Sequence, residues 1–288
     1  MVNDPITQLY EWLQAKALDD VRNWTPPPRR YWASEAGGCL RRTYYRLSGA
    51  RPAPESPDSV LIGMDGNVHH DIVRQLFDQA GVEQRAITLE TDGSTTETYI
   101  RKEYHYKGYD IEVSGRPDGE IYTPYGWCVH EIKGKGMGFK YYRDAYKKGG
   151  SSAVLERMRI KDKTWEPQAQ FMMDMRGLDK WCLTIKDRDL ARMGVIPAGS
   201  IIPCCAYMDR DPKALDAALD RLVIVEKALE SGEPPVHGHL PSSWQCKSCR
   251  WAYMCYEADE RRERKLKPEV VYPVPEDVLR GTLEEVAE

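Results

Sequence analysis

The sequence predicts an α/β (α+β) fold: a mixed central β-sheet flanked by helices. Three observations predict it. Helical patterns open the chain. A long middle stretch, Val82 to Lys133, reads as successive strands. Beyond it, helical and strand patterns alternate.

In order, Pro5 to Trp24 reads as an amphipathic helix with Ile6, Leu9, Leu13 and Val21 near helical spacing, ended by Pro26-Pro27-Pro28. Cys39–Leu47 is a helical run rich in Tyr and Arg, and Pro52–Pro57 is a loop. Leu61–Ala80 reads as a helix with Val68, Ile72, Val73, Leu76 and Phe77 inward, carrying His69 and His70. The strands turn at Asp92-Gly93-Ser94 and Lys107-Gly108, and Ile111–Tyr122 reads as one of them. Met137–Lys148 is a helix closed by Gly149-Gly150; Thr164–Gly177 is another, capped by Thr164 and ended by Gly177. Lys180–Lys186 and Ser200–Met208 read as strands, and Asp211–Ser231 as a long amphipathic helix. A Pro- and His-containing loop, Glu233–Ser243, precedes Cys246 to Cys255, a charged run Glu257–Lys267 and an acidic tail from Pro268.

The 288 residues are 41% hydrophobic and 30% charged, an ordinary balance for a chain with a real core. With a net charge of −4, any nucleic-acid contact must come from a local basic surface. No run approaches the roughly 18 apolar residues of a membrane span. The N-terminus lacks the basic and apolar regions of a secretory signal, so the expected location is cytoplasmic. Eight unevenly spaced cysteines in such a chain point to metal or redox chemistry rather than a disulfide scaffold.

Chemistry concentrates in GRPDGEIYTPYGWCVHEIKG, Gly115 to Gly134. Thr123-Pro124-Tyr125-Gly126 is a turn, because Pro pre-sets φ and Gly allows positive φ. A hairpin centred there puts Asp118 directly opposite Glu131. Lys133 shares the face of Glu131, and Ile132 points away. Carboxylates so placed repel unless a cation or a proton intervenes. Converging oxygens suit Mg²⁺ or Mn²⁺, and a neighbouring lysine can orient water and stabilise charge on a phosphate. An ordinary solvent-facing Asp–Lys–Glu cluster would look the same at this level.

Cys246, Cys249 and Cys255 place three thiols within ten residues, a soft-metal pattern. Cys39, His237 and His239 are candidates for a fourth ligand, with zinc as the alternative to an iron–sulfur cluster. Cys128, Cys182, Cys204 and Cys205 fall in predicted strands and read as core.

These pieces resemble the PD-(D/E)XK nuclease superfamily, in its RecB-like branch with a four-cysteine iron–sulfur cluster: CRISPR-associated exonucleases, the nuclease domain of AddB and phage relatives. Gly66-Asn67-Val68-His69-His70 resembles the G-x3-H helix motif and selects His70; Gly115-Arg116-Pro117-Asp118 resembles the metal-binding aspartate motif. Glu131-Ile132-Lys133 resembles the E-x-K, and Gln168-Ala169-Gln170-Phe171-Met172 the Q-x3-Y helix, with Met172 where tyrosine is usual. Cys39-Leu40-Arg41-Arg42 resembles the upstream C-x-R-R.

The resemblance spans roughly Cys39 to Cys255 and implies a restriction-endonuclease-like core at 60–210, a cluster segment at 236–260 and a nuclease domain over 36–260. An N-terminal helix and linker, 1–35, and a charged tail, 261–288, lie outside it. It implies Mg²⁺ or Mn²⁺ held by His70, Asp118, Glu131 and the Ile132 carbonyl, with Lys133 orienting water and Gln168 positioning water or phosphate. Cys39, Cys246, Cys249 and Cys255 would hold a 4Fe-4S cluster joining N- and C-terminal helices. Arg41, Arg42, Lys135 and Lys140 are candidate DNA contacts. The implied activity is exonucleolytic on single-stranded or frayed DNA ends, with recombination, repair or CRISPR adaptation proteins as partners. Alternatives are a catalytically idle DNA-end-binding module, and a zinc-structured scaffold.

Overall fold

The computed structural model describes residues 5–85, 99–136, 138–187, 204–236, 239 and 243–255. The expected turn at Asp92-Gly93-Ser94, His237 and the charged tail lie outside them. The chain forms two compact units: one from Met1–Arg29, Cys39–Met64 and Ile224–Glu288, the other from Arg30–Gly38 and Asp65–Val223.

The second unit carries both sheets. Strands β1 (Tyr31–Trp32), β3 (Ile100–Tyr106) and β4 (Tyr109–Gly115) form a three-stranded sheet in the order β1-β4-β3. Strands β2 (Gln84–Arg85), β5 (Gly119–Thr123), β6 (Gly126–Lys135), β7 (Lys180–Asp187) and β8 (Cys204–Asp209) form a five-stranded sheet in that order. Only β6 and β7 pair in parallel in the larger sheet. Their crossover carries α4 (Phe139–Lys161) and α5 (Trp165–Arg176), since parallel neighbours need a long connection. The core lies where α5 meets the sheets: Ala169, Phe171, Met172 and Met173 are buried, as are Val129, Ile132, Leu183 and Ile185.

The expected hairpin forms in the expected register, with Gly119 facing His130 and Thr123 facing Gly126. Gly126 takes φ +89°, and Lys107-Gly108 makes the other expected turn. Other expectations change. Ile111–Tyr122 is two strands, β4 and β5, in different sheets. Alternation continues across the junction, but Pro117 has no N–H for a ladder. Gly149-Gly150 does not end α4, which resumes beyond them to Lys161. Thr164 makes no side-chain cap bond to α5, although Gly177 ends that helix at φ +65° as expected. Gly115 faces Met172: a Cβ there would stand 2.3 Å from the methionine Cε. Cys128 and Cys182 are buried as expected, whereas Cys205 is half-buried.

In the first unit, α1 (Pro5–Arg22) buries Leu13, Ala17 and Val21 but leaves Leu9 exposed. Helix α2 (Leu40–Leu47) begins after Cys39 and buries Thr43, Tyr44 and Tyr45. The last turns of α6 (Pro212–Ser231) bury Val225 and Ala228, and Glu226 pairs with Arg29. Helix α3 (Pro57–Gln79) starts here and continues into the second unit. Its Val73 is buried, but Val68 and Leu76 are exposed, not inward. Periodicity locates a stripe; it does not supply an element to cover it.

Candidate active site

The break between β4 and β5 leaves Asp118 one residue before the second strand. Its Oδ2 accepts the Ile132 backbone N–H at 2.7 Å, locking it across the hairpin end from Glu131. Its Oδ1 lies 2.9 Å from Nδ1 of His70, which α3 presents. Arg74, one helical turn beyond His70, donates from Nε and Nη2 to the Asp118 carbonyl at 3.1 and 2.9 Å. Burial by itself would raise the Asp118 carboxyl; His70, the Ile132 N–H and Lys133 outweigh burial and hold it below its ordinary value.

Glu131 is almost wholly buried on β6. Its Oε1 sits 2.5 Å from Lys133 Nζ and accepts from Gln168 Nε2 at 3.0 Å. Its Oε2 is buried without a hydrogen-bond partner. Burial pushes this carboxyl up, with Lys133 pulling the other way. Burial would lower the Lys133 ammonium, but Glu131 more than compensates and raises it. Beneath the site, burial holds His130 down to about 4, so it is neutral near pH 7; its Nε2 lies 2.9 Å from Thr184 Oγ1.

An aromatic wall stands behind the lysines. Lys133 and Lys135 lie 5.7 and 4.7 Å from the Trp165 ring centroid. Tyr142 stacks on that indole at 6.0 Å and bonds Asp162, which also takes Lys135 at 2.6 Å. Lys135 is thus already engaged, whereas Lys140 is exposed. The sequence reading missed Arg74 and Trp165. Spacing held a clue to each: Arg74 is four residues after His70, and Trp165 three before Gln168, so each shares a helix face with its neighbour.

The donor set fits a hard divalent ion. Asp118 and Glu131 supply oxygens, His70 a nitrogen, and the orphaned Glu131 Oε2 is a buried acceptor that an ion would satisfy. The three are not drawn together. Among the described residues, ligand atoms converge within 4.8 Å only at Glu103, His105 and Asp110, an exposed trio on the β3–β4 hairpin. An ion at the site would therefore draw its ligands in.

The four expected cluster thiols all belong to the first unit. Cys39 precedes α2, while Cys246 lies in α7 (Trp244–Lys247) and Cys255 ends α8 (Ala252–Cys255), with Cys249 between. They are electrostatic neighbours. Burial comes first in raising the Cys255 thiol to about 12, with Cys39, Cys249 and Cys246 adding to the rise; Cys249 is raised likewise by burial, Cys39 and Cys246.

Backbone and side-chain bonds fasten this segment. Ala53 N–H donates to the Arg250 carbonyl at 2.7 Å, and Arg250 Nε returns to the Ala53 carbonyl at 2.7 Å. Trp251 Nε1 donates to Ala50, and Tyr45 OH to Met254. Arg41 donates to the Tyr45 hydroxyl at 3.3 Å. Arg42 lines a cavity of about 360 Å³ with Lys247, Cys249 and Arg250. A single zinc ion would hold sulfurs about 3.8 Å apart, from tetrahedral bonds of about 2.3 Å. Among the described residues, no three of these thiols have sulfurs all within 4.8 Å of one another.

No family profile matches the chain, and no curated protein matches it. Several solved structures are similar to it. The crystal structure of SSO0001 gives a TM-score of 0.46 at 15% identity, covering 88% of this chain and 98% of that one. LHK-Exo in complex with dAMP gives 0.42 at 13%, covering 77% and 93%; LHK-Exo is an alkaline exonuclease from Laribacter hongkongensis. A phage-related exonuclease from Haemophilus somnus 129PT gives 0.32 at 15%, covering 70% and 94%. No described helix is long and apolar enough to cross a membrane. The functional reading rests on the geometry of the site.

Proposed function

We propose that this protein is a metal-dependent DNA nuclease of the PD-(D/E)XK type, acting on single-stranded or frayed ends. One observation carries the reading. Glu131 is buried with one oxygen committed to Lys133 and Gln168 and the other to nothing, at the end of the hairpin that fixes Asp118. A buried carboxylate with an empty coordination direction is costly as structure and useful as a ligand.

Asp118, Glu131 and His70, with the Ile132 carbonyl, would hold Mg²⁺ or Mn²⁺. The ion would polarise the scissile phosphate as a Lewis acid. The chain's own groups do the rest. Glu131 keeps Lys133 protonated, so Lys133 orients water and stabilises phosphate charge rather than accepting a proton. Gln168 Nε2 fixes Glu131 and leaves its amide oxygen to position water. Water oxygen bonds to phosphorus and gives its proton to solvent, the bond to the departing sugar oxygen breaks with inversion, and that oxygen takes a proton from solvent to leave as a hydroxyl. The Ile132 N–H keeps the Asp118 carboxylate from rotating, and Arg74 holds its backbone carbonyl.

Cys39, Cys246, Cys249 and Cys255 are proposed to hold a 4Fe-4S cluster of structural role. Two four-residue helices bury little, and metal binding would supply the folding energy this segment lacks. The deciding experiment incubates end-labelled single-stranded DNA with the protein and Mn²⁺, Mg²⁺ or EDTA. Degradation with either metal and none in EDTA is expected. Equal degradation in EDTA overturns the metal mechanism, and none under any condition favours the idle DNA-end-binding alternative.

A further inference from the structure

Helix α4 is not one rod. Gly149 (φ −150°, ψ 18°) and Gly150 (φ 61°, ψ −145°) leave helical geometry between its arms, 139–148 and 151–161. Tyr141 and Arg157 show the consequence. Sixteen residues of straight helix would part them by about 24 Å, yet the Arg157 guanidinium lies 4.8 Å from the Tyr141 ring centroid. The glycines fold the second arm back along the first. Gly150 is needed there because its positive φ with extended ψ is a region other residues avoid.

The fold-back produces an unusual pair. Tyr141 is 58% exposed, and the guanidinium lies against its ring. Arg157 has no ion-pair partner among the described residues, and its Nε has no hydrogen-bond acceptor. By contrast Arg159, on the same arm, is held by Glu166 at 2.9 Å. The unpartnered Nε is buried, so the two terminal Nη groups of this half-buried side chain are the donors left for an anionic ligand. The surroundings are basic in an acidic protein: Lys140, Lys147 and Lys148 are exposed on the first arm, as is a second ring, Tyr146. Tyr142, the next residue, turns inward onto Trp165, the ring that backs Lys133.

We propose that Tyr141 and Arg157 form a stacking platform for a base of single-stranded DNA, with Arg157 and the exposed lysines of the first arm contacting its phosphates. This deepens the nuclease reading and rests on it for the choice of nucleic acid. Stacked bases in a duplex have no free face, whereas every unpaired base offers one. The platform therefore selects single strands before cleavage and is not part of the reacting set.

The test is fluorescence anisotropy of labelled oligonucleotides with the full chain in EDTA, so that binding is read without cleavage. Probes are a single strand, the same strand with abasic sites, and its duplex. Tyr141→Ala should weaken single-strand binding about tenfold, within the range of one lost base stack. Tyr141→Phe should bind like wild type, because it keeps the ring. Arg157→Gln should weaken both strand forms, the single strand more. Wild type should lose affinity on abasic DNA, and Tyr141→Ala should lose no more there. Wild-type affinity in Tyr141→Ala, equal losses in Tyr141→Ala and Tyr141→Phe, or equal losses on single strand and duplex would each overturn the platform. So would a wild type that binds no single strand. If that same preparation still degrades DNA with Mn²⁺, the platform alone has failed and the nuclease reading stands.

Discussion

The carboxylate site and the cysteine site are built on opposite principles. Around Asp118 and Glu131 the protein itself is the scaffold: a hairpin in fixed register, a buried β6 and α5, and donors to three of the four carboxylate oxygens. Around Cys246–Cys255 the chain forms two four-residue helices, with α8 burying none of its residues. Trp251 and hydrogen bonds to 45–53 hold that segment. The first arrangement holds three of its four carboxylate oxygens by protein donors, and the second rests on one buried side chain and a handful of hydrogen bonds. Loss of metal should silence one and loosen the other.

The largest effect expected is chemical. Lys133→Ala or Glu131→Gln should lower cleavage by about 10²–10³-fold, the cost of removing a positioned charge from a transition state. Glu131→Gln should leave the melting temperature unchanged or raised in EDTA, since it removes a buried charge whose protonation burial already favours. A nuclease assay and a thermal melt on each variant check this. Wild-type rates in both would remove Gly115–Gly134 from the active site.

Cys246→Ala should reverse that pattern. Opening the cluster should lower solubility and melting temperature by several degrees, at about 2–4 °C per kcal/mol for a chain of this size. Activity should fall only as the protein unfolds. Anaerobically purified wild type should be brown, with stoichiometric iron and sulfide. Zinc without iron would transfer the site to a Cys₃His arrangement, with His237 or His239 as ligand.

His70→Ala should weaken Mn²⁺ binding by at least about tenfold, measured by titration, while the melt in EDTA barely moves. A smaller effect is expected from Arg250→Ala, which removes the Nε donor to the Ala53 carbonyl and the ion pairs with Asp20 and Glu55, while the Ala53 N–H keeps its bond to the backbone carbonyl of residue 250. A loss of about 1–2 kcal/mol is expected, together with reduced iron retention but unchanged cleavage per folded molecule. Equal loss of rate and of iron would mean that the two sites are not separable as described.

Local chemistry determined much of this in the sequence alone. Pro124 and Gly126 fix one turn, and one turn fixes the register in which Gly119 faces His130, one step from Asp118 and Glu131. Gly177 ends α5, and the helical stripe of α1 buries Leu13 and Val21. These are decided within a few residues, by φ preferences and by period. Tertiary structure decided the rest. Pro117 could have stood in an edge strand; packing of two separate sheets made it a junction. Val68 and Leu76 carry the same periodicity as buried Val73, and burial depends on what other elements cover. Gly149-Gly150 reads as a helix stop; only contacts such as Arg157 on Tyr141 reveal that it reverses the chain. Sequence pattern specifies each element's shape, whereas the partners of a face are chosen by contacts between residues far apart in the chain.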